Sequence, residues 1–191
     1  MTQIYLASKS LRRLQLLQQL GLDCDVLAVD VDETPLVDEA SESYVQRLAV
    51  KKARQASERV TKKNQPIVAA DTTVTCDGKI LGKPKDQAHA FKMWQSLSAN
   101  THQVFTGVAV AMGGNIEQQV CCTAVTFRAL SEDDMTRYWA SGEPQDKAGG
   151  YGIQGKGALF VSHIEGSYSN VVGLPLFETG QLLSQAGIES I

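Results

Sequence analysis

Two carboxylates stand where a sheet-based protein can put them to work. Pro66-Ile67-Val68-Ala69-Ala70 is a short apolar run that predicts a buried strand, and Asp71 follows it directly. Asp71 is therefore expected at the C-terminal end of that strand, the edge where α/β proteins collect ligands. Glu33, in Asp32-Glu33-Thr34-Pro35, closes an earlier strand-like stretch from Cys24 to Val31. Carboxylates gathered in this way hold a divalent cation or activate water. The plainer alternatives are a helix or turn cap for Asp71 and an ordinary turn residue for Asp32.

Cations accompany them. In "LASKSLRRLQLLQQLG", residues 6–21, a strand ends in Ser8-Lys9-Ser10 and a leucine-rich helix follows from Leu11 to Leu20, stopped by Gly21. Arg12 and Arg13 fall in the first helical turn, where the helix dipole already carries positive partial charge and acidic residues are preferred. Backbone N–H groups at a helix start, two serine hydroxyls and two planar guanidiniums make an anion site. An exposed basic turn with a serine cap is the alternative. No GxxxxGK[ST] motif is present, which excludes a Walker A loop. Lys51 and Lys52 lie within a long helical pattern, and Lys83 is held between Gly82 and Pro84. Lys147 has a similar setting in Asp146-Lys147-Ala148-Gly149.

The elements that must position these residues alternate in type. Residues 41–60 predict an amphipathic helix with Ser41 as N-cap and Tyr44, Val45, Leu48, Ala49 and Ala53 on one face. Asp77-Gly78 is a hairpin signal, and a helix over 88–97 follows Asp86. Strands over 103–112 and 119–130 flank Gly113-Gly114-Asn115, with Cys121, Val125 and Phe127 on one face. Ser131 with Asp134 resembles a capping box for a short helix ending near Gly142. Residues 146–157, "DKAGGYGIQGKG", predict a functional loop. Within it Gln154 is the side chain with both a donor and an acceptor. A last strand is expected over 160–164 and a closing helix over 174–183, with Asn170 either capping that helix or meeting a ligand. The pattern is mixed α/β, with hairpins and crossovers.

The 191 residues suffice for one domain with a proper core, and nothing in 1–191 reads as a linker. A net charge of -3 offers no general attraction to nucleic acid or anionic membrane, so any anion site must be local. No apolar run reaches the roughly 18 residues a membrane span needs, and charges interrupt the leucines near the N-terminus. A cytoplasmic protein is expected. Cys24, Cys76, Cys121 and Cys122 form no CxxC pair and read as buried or half-buried thiols in a reducing compartment.

Taken together, "LASKSLRR", "VDET", "RLAVKKA", "AADTTV", "GKP", "THQVFTGVAV", "VTFRALSEDDM", "DKAGGYGIQG" and "GSYSNVVGLPL" resemble the Maf family of nucleoside triphosphate pyrophosphatases, in family order and over nearly the whole chain. One departure is Leu11, which stands where the family usually has proline and so lacks proline's pre-set φ. The resemblance implies an α/β fold like that of inosine triphosphate pyrophosphatases: an elongated mixed sheet with flanking helices and two lobes around a cleft. It implies cleavage between the α- and β-phosphates of a nucleoside triphosphate, a Mg²⁺ or Mn²⁺ cofactor and a homodimer. Carried over by position, Ser8, Ser10, Arg13, Glu33, Lys52, Asp71 and Lys83 line the phosphate and metal end. Glu33 and Asp71 are the metal ligands, and Asp71 is the proton acceptor.

Arg12, Thr72 and Gln154 resemble the subgroup acting on dTTP and UTP. The chemistry agrees: uracil and thymine present an N3–H donor beside an O4 acceptor, and an amide answers both. A flipped amide also follows cytosine, so Gln154 alone does not select the base. 5-Methyl-UTP and pseudo-UTP keep the same edge. The family's link to septum formation supplies a second expectation, a nucleotide-binding regulator of cell division with little turnover.

Overall fold

The computed structural model describes residues 3–61 and 64–189. Its strands form a seven-stranded sheet in the order β2-β1-β3-β5-β6-β7, with β4 paired to β3. The strands are β1 (Gln3–Leu6), β2 (Asp23–Val26), β3 (Ile67–Cys76), β4 (Lys79–Leu81), β5 (Thr101–Met112), β6 (Asn115–Phe127) and β7 (Val161–Glu165). The helices are α1 (Leu11–Gln19), α2 (Ser41–Arg59), α3 (Gln87–Leu97), α4 (Glu132–Ala140), α5 (Tyr168–Val172) and α6 (Leu176–Gln185). β1 runs parallel to β2 and β3, whereas β3–β4 and β6–β7 are antiparallel. The mixed α/β reading holds.

The chain divides into two compact units. The first holds the described residues up to Thr72, Thr106–Cys121 and those from Gly173 onward; the second holds Thr73–Phe105 and Cys122–Val172. β3, β5 and β6 each carry residues of both.

One core cluster of the first unit is built largely from small residues. Ala49, Ala53 and Ala56 of α2 pack with Ala69 of β3, Ala109 and Ala111 of β5 and Ala7 after β1. Side chains this short let helix and sheet approach closely. At Gly107 of β5 the approach is closest: an added Cβ would lie 2.5 Å from the Val45 carbonyl oxygen and 2.9 Å from the Gln46 nitrogen, both backbone atoms of α2. The core of the second unit is aromatic by contrast, with Trp94, Phe127, Tyr138, Tyr151 and Phe160 clustered around Val74, Leu97 and Val125.

Several local signals act as the sequence implies. Asp77 and Gly78 both take positive φ, 49° and 73°, and turn β3 into β4. Asp86 caps α3 by accepting the His89 N–H at 2.7 Å. Ser131 and Asp134 form a reciprocal capping box on α4.

Other expectations are corrected. The second strand stops at Val26 rather than Val31, because β2 lies at the sheet edge and its one partner, β1, has four residues to offer. Ala40, not Ser41, occupies the cap of α2. The strand predicted over 66–70 continues to Cys76, since Thr72, Thr73, Val74 and Thr75 are β-formers and Asp71 is accommodated within it. The last strand and closing helix start one and two residues later than predicted, and α5 was not foreseen. Cys122 is exposed, while Cys76 and Cys121 are buried and Cys24 is half-buried. No helix among the described residues is long and apolar enough to cross a membrane.

Replacing Gly107 with alanine forces α2 off the sheet. Equilibrium urea unfolding should show Gly107→Ala destabilised by about 3 kcal/mol, the upper end of overpacking costs. Gly82→Ala, whose Cβ would meet nothing within 4 Å, should stay within about 0.5 kcal/mol of the parent.

Candidate active site

Asp71 sits in the middle of β3, not at its end. The register explains why it is nonetheless accessible to partners. β1 pairs with β3 only as far as Leu6 opposite Val68, so Asp71 lies beyond the carboxyl end of the neighbouring parallel strand. Its residue is 7% exposed, and a carboxylate so buried needs a charge partner. Lys52 of α2 supplies one: its Nζ donates to Asp71 Oδ1 at 2.6 Å, and it lies 2.7 Å from Glu33 Oε1. The two carboxylates and the ammonium thus form one cluster.

Burial pushes the Asp71 pKa above its ordinary value, while Lys52 and Arg13 pull it back and the Glu33 charge adds to the rise. A carboxyl shifted in that direction is a better proton acceptor than a surface aspartate.

Glu33 is held through its own segment. Tyr44 donates its hydroxyl to the Glu33 carbonyl oxygen at 2.8 Å. Asp32 Oδ1 accepts the Thr34 N–H at 2.9 Å, an Asx turn that bears out the plain reading of that residue. Arg47 binds both oxygens of Glu39 at 2.6 and 2.7 Å, and Glu39 accepts the Leu36 N–H. Lys51 faces the Asp32 carbonyl at 3.4 Å. In sequence Tyr44 reads only as part of an apolar helix face, and its hydroxyl's role left no signal.

Arg13 is fixed by three acceptors. Its Nε donates to the Gly173 carbonyl at 2.7 Å, Nη1 to Ser8 Oγ at 3.2 Å and Nη2 to Thr72 Oγ1 at 3.0 Å. These three bonds use three of the five guanidinium N–H groups and leave one on each terminal nitrogen. Burial lowers the Arg13 pKa, with Asp71 pulling it back and Arg12 adding to the fall. Ser8 Oγ also accepts the Ser10 N–H at 3.2 Å. Ser10 occupies the cap of α1 but makes no side-chain cap bond, and no acid lies in the first turn, so that helix end stays electropositive. Arg12 is half-buried beside Arg13.

Thr72 meets Arg13, Thr106 Oγ1 at 2.9 Å and the Gly173 carbonyl at 3.4 Å. Its hydroxyl is committed to protein partners. Gly173, which sequence reasoning missed, has a φ of 125° and lies 160 positions from the arginine it anchors.

The remaining candidates belong to the second unit. Lys83 is exposed next to buried Pro84, and the Gly82 carbonyl accepts the Gly149 N–H at 3.0 Å. Gln154 is exposed on the glycine-rich loop. Lys147 is used structurally, donating to the Glu143 carbonyl and Asp146 Oδ1, each at 2.7 Å. Asn170 is buried and ties Val104 O and Thr123 Oγ1 together, so it does not cap the closing helix.

Among the described residues no group of three or more His, Cys, Asp or Glu side chains converges. Glu33 and Asp71, both within 2.7 Å of one ammonium, still fit a hard cation of the kind held by one or two carboxylates plus substrate phosphates. Neither a histidine nor a thiolate is present in that cluster to favour a softer metal.

The chain is similar to several known proteins. One relative, the dTTP/UTP pyrophosphatase of Nitrosomonas europaea, is 47% identical over 97% of this chain and 95% of its own. Proteins of the same name from Acinetobacter baylyi and Pseudoalteromonas translucida are 49% and 51% identical, each over 94% of this chain, covering 97% and 95% of their own lengths. Among solved structures, the Staphylococcus aureus Ham1 protein overlaps in part, with a TM-score of 0.46 and 17% identity over 66% of this chain and 71% of that one. A family model described as Maf-like protein matches residues 3–186, and the chain belongs to that family.

Proposed function

We propose that this protein is a nucleoside triphosphate pyrophosphatase that hydrolyses dTTP and UTP to the monophosphate and pyrophosphate. The observation that carries the reading is the buried Asp71–Lys52 ion pair, with the exposed Glu33 on the same ammonium and Arg13 fixed beside it, an assembly richer than binding alone requires. The name of the relatives at 47–51% identity supports the substrate. 5-Methyl-UTP and pseudo-UTP present the same base edge.

In this reading Asp71 accepts the proton of a water attacking the α-phosphorus, and its burial-raised pKa suits that task. Lys52 holds the Asp71 carboxylate in place and, with Arg13 and Lys83, neutralises charge building on the leaving pyrophosphate. Electrostatic stabilisation of this kind is the largest contribution expected. Ser8, Ser10 and the start of α1 receive phosphate oxygens. Glu33 and Asp71 are the residues that would hold Mg²⁺ or Mn²⁺, which when bound supplies charge neutralisation at the phosphates. Arg12 and Gln154 are assigned to substrate selection, Gln154 through the N3–H and O4 of the pyrimidine. Thr72 acts through Arg13, because its hydroxyl is already engaged. On family likeness the same reading includes a single functional domain over 1–191, a cytoplasmic location and a homodimer.

Asp71→Asn should lower pyrophosphate release from dTTP by about 10²–10⁴-fold, the range lost with a general base, while calorimetry still detects dTTP binding. Near-parental release would remove Asp71 from the base role. Parental protein that binds dTTP without turning it over would favour the nucleotide-binding regulator instead.

The direction of the Asp71 shift also sets how its carboxyl titrates. In metal-free protein the Asp71 carboxyl should titrate, by side-chain NMR, with its midpoint above the ordinary aspartate value of about 4. A midpoint below that value would contradict the assignment. A nucleotide panel with pyrophosphate detection should rank dTTP and UTP above purine nucleotides, and the reverse order would overturn the substrate.

A further inference from the structure

The glycine-rich segment looks in sequence like a loop built for ligand, yet Gly152, Gly155 and Gly157 close on one carboxylate and its tyrosine. Glu143 Oε1 accepts the Tyr138 hydroxyl at 2.8 Å and the Gly157 N–H at 3.1 Å, and Oε2 accepts the Lys156 N–H at 2.8 Å. The Tyr138 oxygen in turn accepts the Gly152 N–H at 3.0 Å. Gly155 N–H closes a turn onto the Gly152 carbonyl at 3.2 Å. Ile153 and Gln154 are the two central residues of that turn, Ile153 buried and Gln154 exposed.

Space is as restrictive as hydrogen bonding. A Cβ on Gly155 would collide with the Glu143 carboxyl group, whose carbon would lie 2.5 Å away. A Cβ on Gly157 would come within 2.6 Å of the Tyr138 hydroxyl and 2.8 Å of the Gly152 carbonyl. Neither glycine has a positive φ, so these positions exclude side chains because of the carboxylate and its tyrosine, not because of backbone conformation. Glu143 therefore acts as the post around which residues 152–157 are wound, with both ends of the Gln154 turn tied to it directly or through Tyr138.

We propose that Glu143 is a positioning residue that aims Gln154 at the pyrimidine edge of the substrate. The proposal rests on the dTTP/UTP reading above. An acceptor-only group is needed here, since three donors converge on it. The amide of Glu143→Gln must turn an NH₂ toward at least one of them.

The test is a double-mutant cycle on kcat and KM for dTTP and UTP. Glu143→Gln should raise KM about tenfold, the scale of one lost ligand hydrogen bond, with kcat changed by less than about threefold. Gln154→Ala should do the same. Combining the two should add nothing beyond Gln154→Ala, which a merely structural role for Glu143 would not produce. Tyr138→Phe, which keeps the carboxylate, should shift KM in the same direction by less. Without nucleotide, amide exchange at Gly152, Lys156 and Gly157 should accelerate in folded Glu143→Gln.

A folded Glu143→Gln with parental KM, parental exchange, or an undiminished effect in the Gln154→Ala background would overturn the proposal. Parental protein with no preference for dTTP or UTP would instead overturn the substrate reading.

Discussion

Asp71 is a carboxylate in the middle of a central strand, and the first unit is arranged around making that tolerable. Every residue of β3 except Thr72 is buried, so the charge has little water to answer it. Lys52 answers it from a helix packed on the same sheet, at 2.6 Å. The ammonium reaches because α2 lies close to the sheet, over alanines at 49, 53, 56, 69, 109 and 111 and over a glycine at 107. Larger side chains at those positions would lift the helix and leave the carboxylate without its partner. A buried ion pair is weak evidence for stability, since desolvation consumes most of its attraction. Its value lies in the shifted pKa and the fixed geometry, the two properties that the proposed proton acceptor needs.

The Arg13 side obeys a related constraint. An arginine that receives phosphate must be rigid before the phosphate arrives, or its ordering works against binding. Arg13 is rigid because Gly173, Ser8 and Thr72 occupy three of its donors. Two arginines at the start of α1 oppose the helix dipole, with no acid in that first turn and no side-chain cap bond, and Asp71 and Glu33 act on Arg13 from elsewhere in the fold.

The second unit solves a positioning problem by other means. It has an aromatic core, and from that core Tyr138 and Glu143 present a fixed set of acceptors to a loop too poor in side chains to pack itself. Glycine at 155 and 157 follows from close approach to that carboxylate and its tyrosine, whereas Gly149 and Gly150 take positive φ. A loop so tied presents Gln154 on a defined turn without giving it any buried contact of its own.

Much of this was legible in the chain. Periodicity located α1, α2 and α3, and the Asp77-Gly78 and Gly113-Gly114 turns, the Asp86 cap and the Ser131–Asp134 box act locally, through neighbours a few residues away. The candidate site residues were named by type and setting for the same reason, since carboxylates, paired arginines and a lysine between glycine and proline advertise themselves. What periodicity does not carry is who faces whom. The continuation of β3 past Asp71 depends on Lys52 being there to neutralise it, 19 positions away. The anchoring of Arg13 by Gly173, the grip of Tyr44 on Glu33 and the winding of residues 152–157 around Glu143 join segments by backbone carbonyls, amides and hydroxyls. Sequence by itself determined the local elements and the chemical inventory. Tertiary structure alone decided which members of that inventory meet, because those partners are brought within hydrogen-bond range by packing rather than by proximity along the chain.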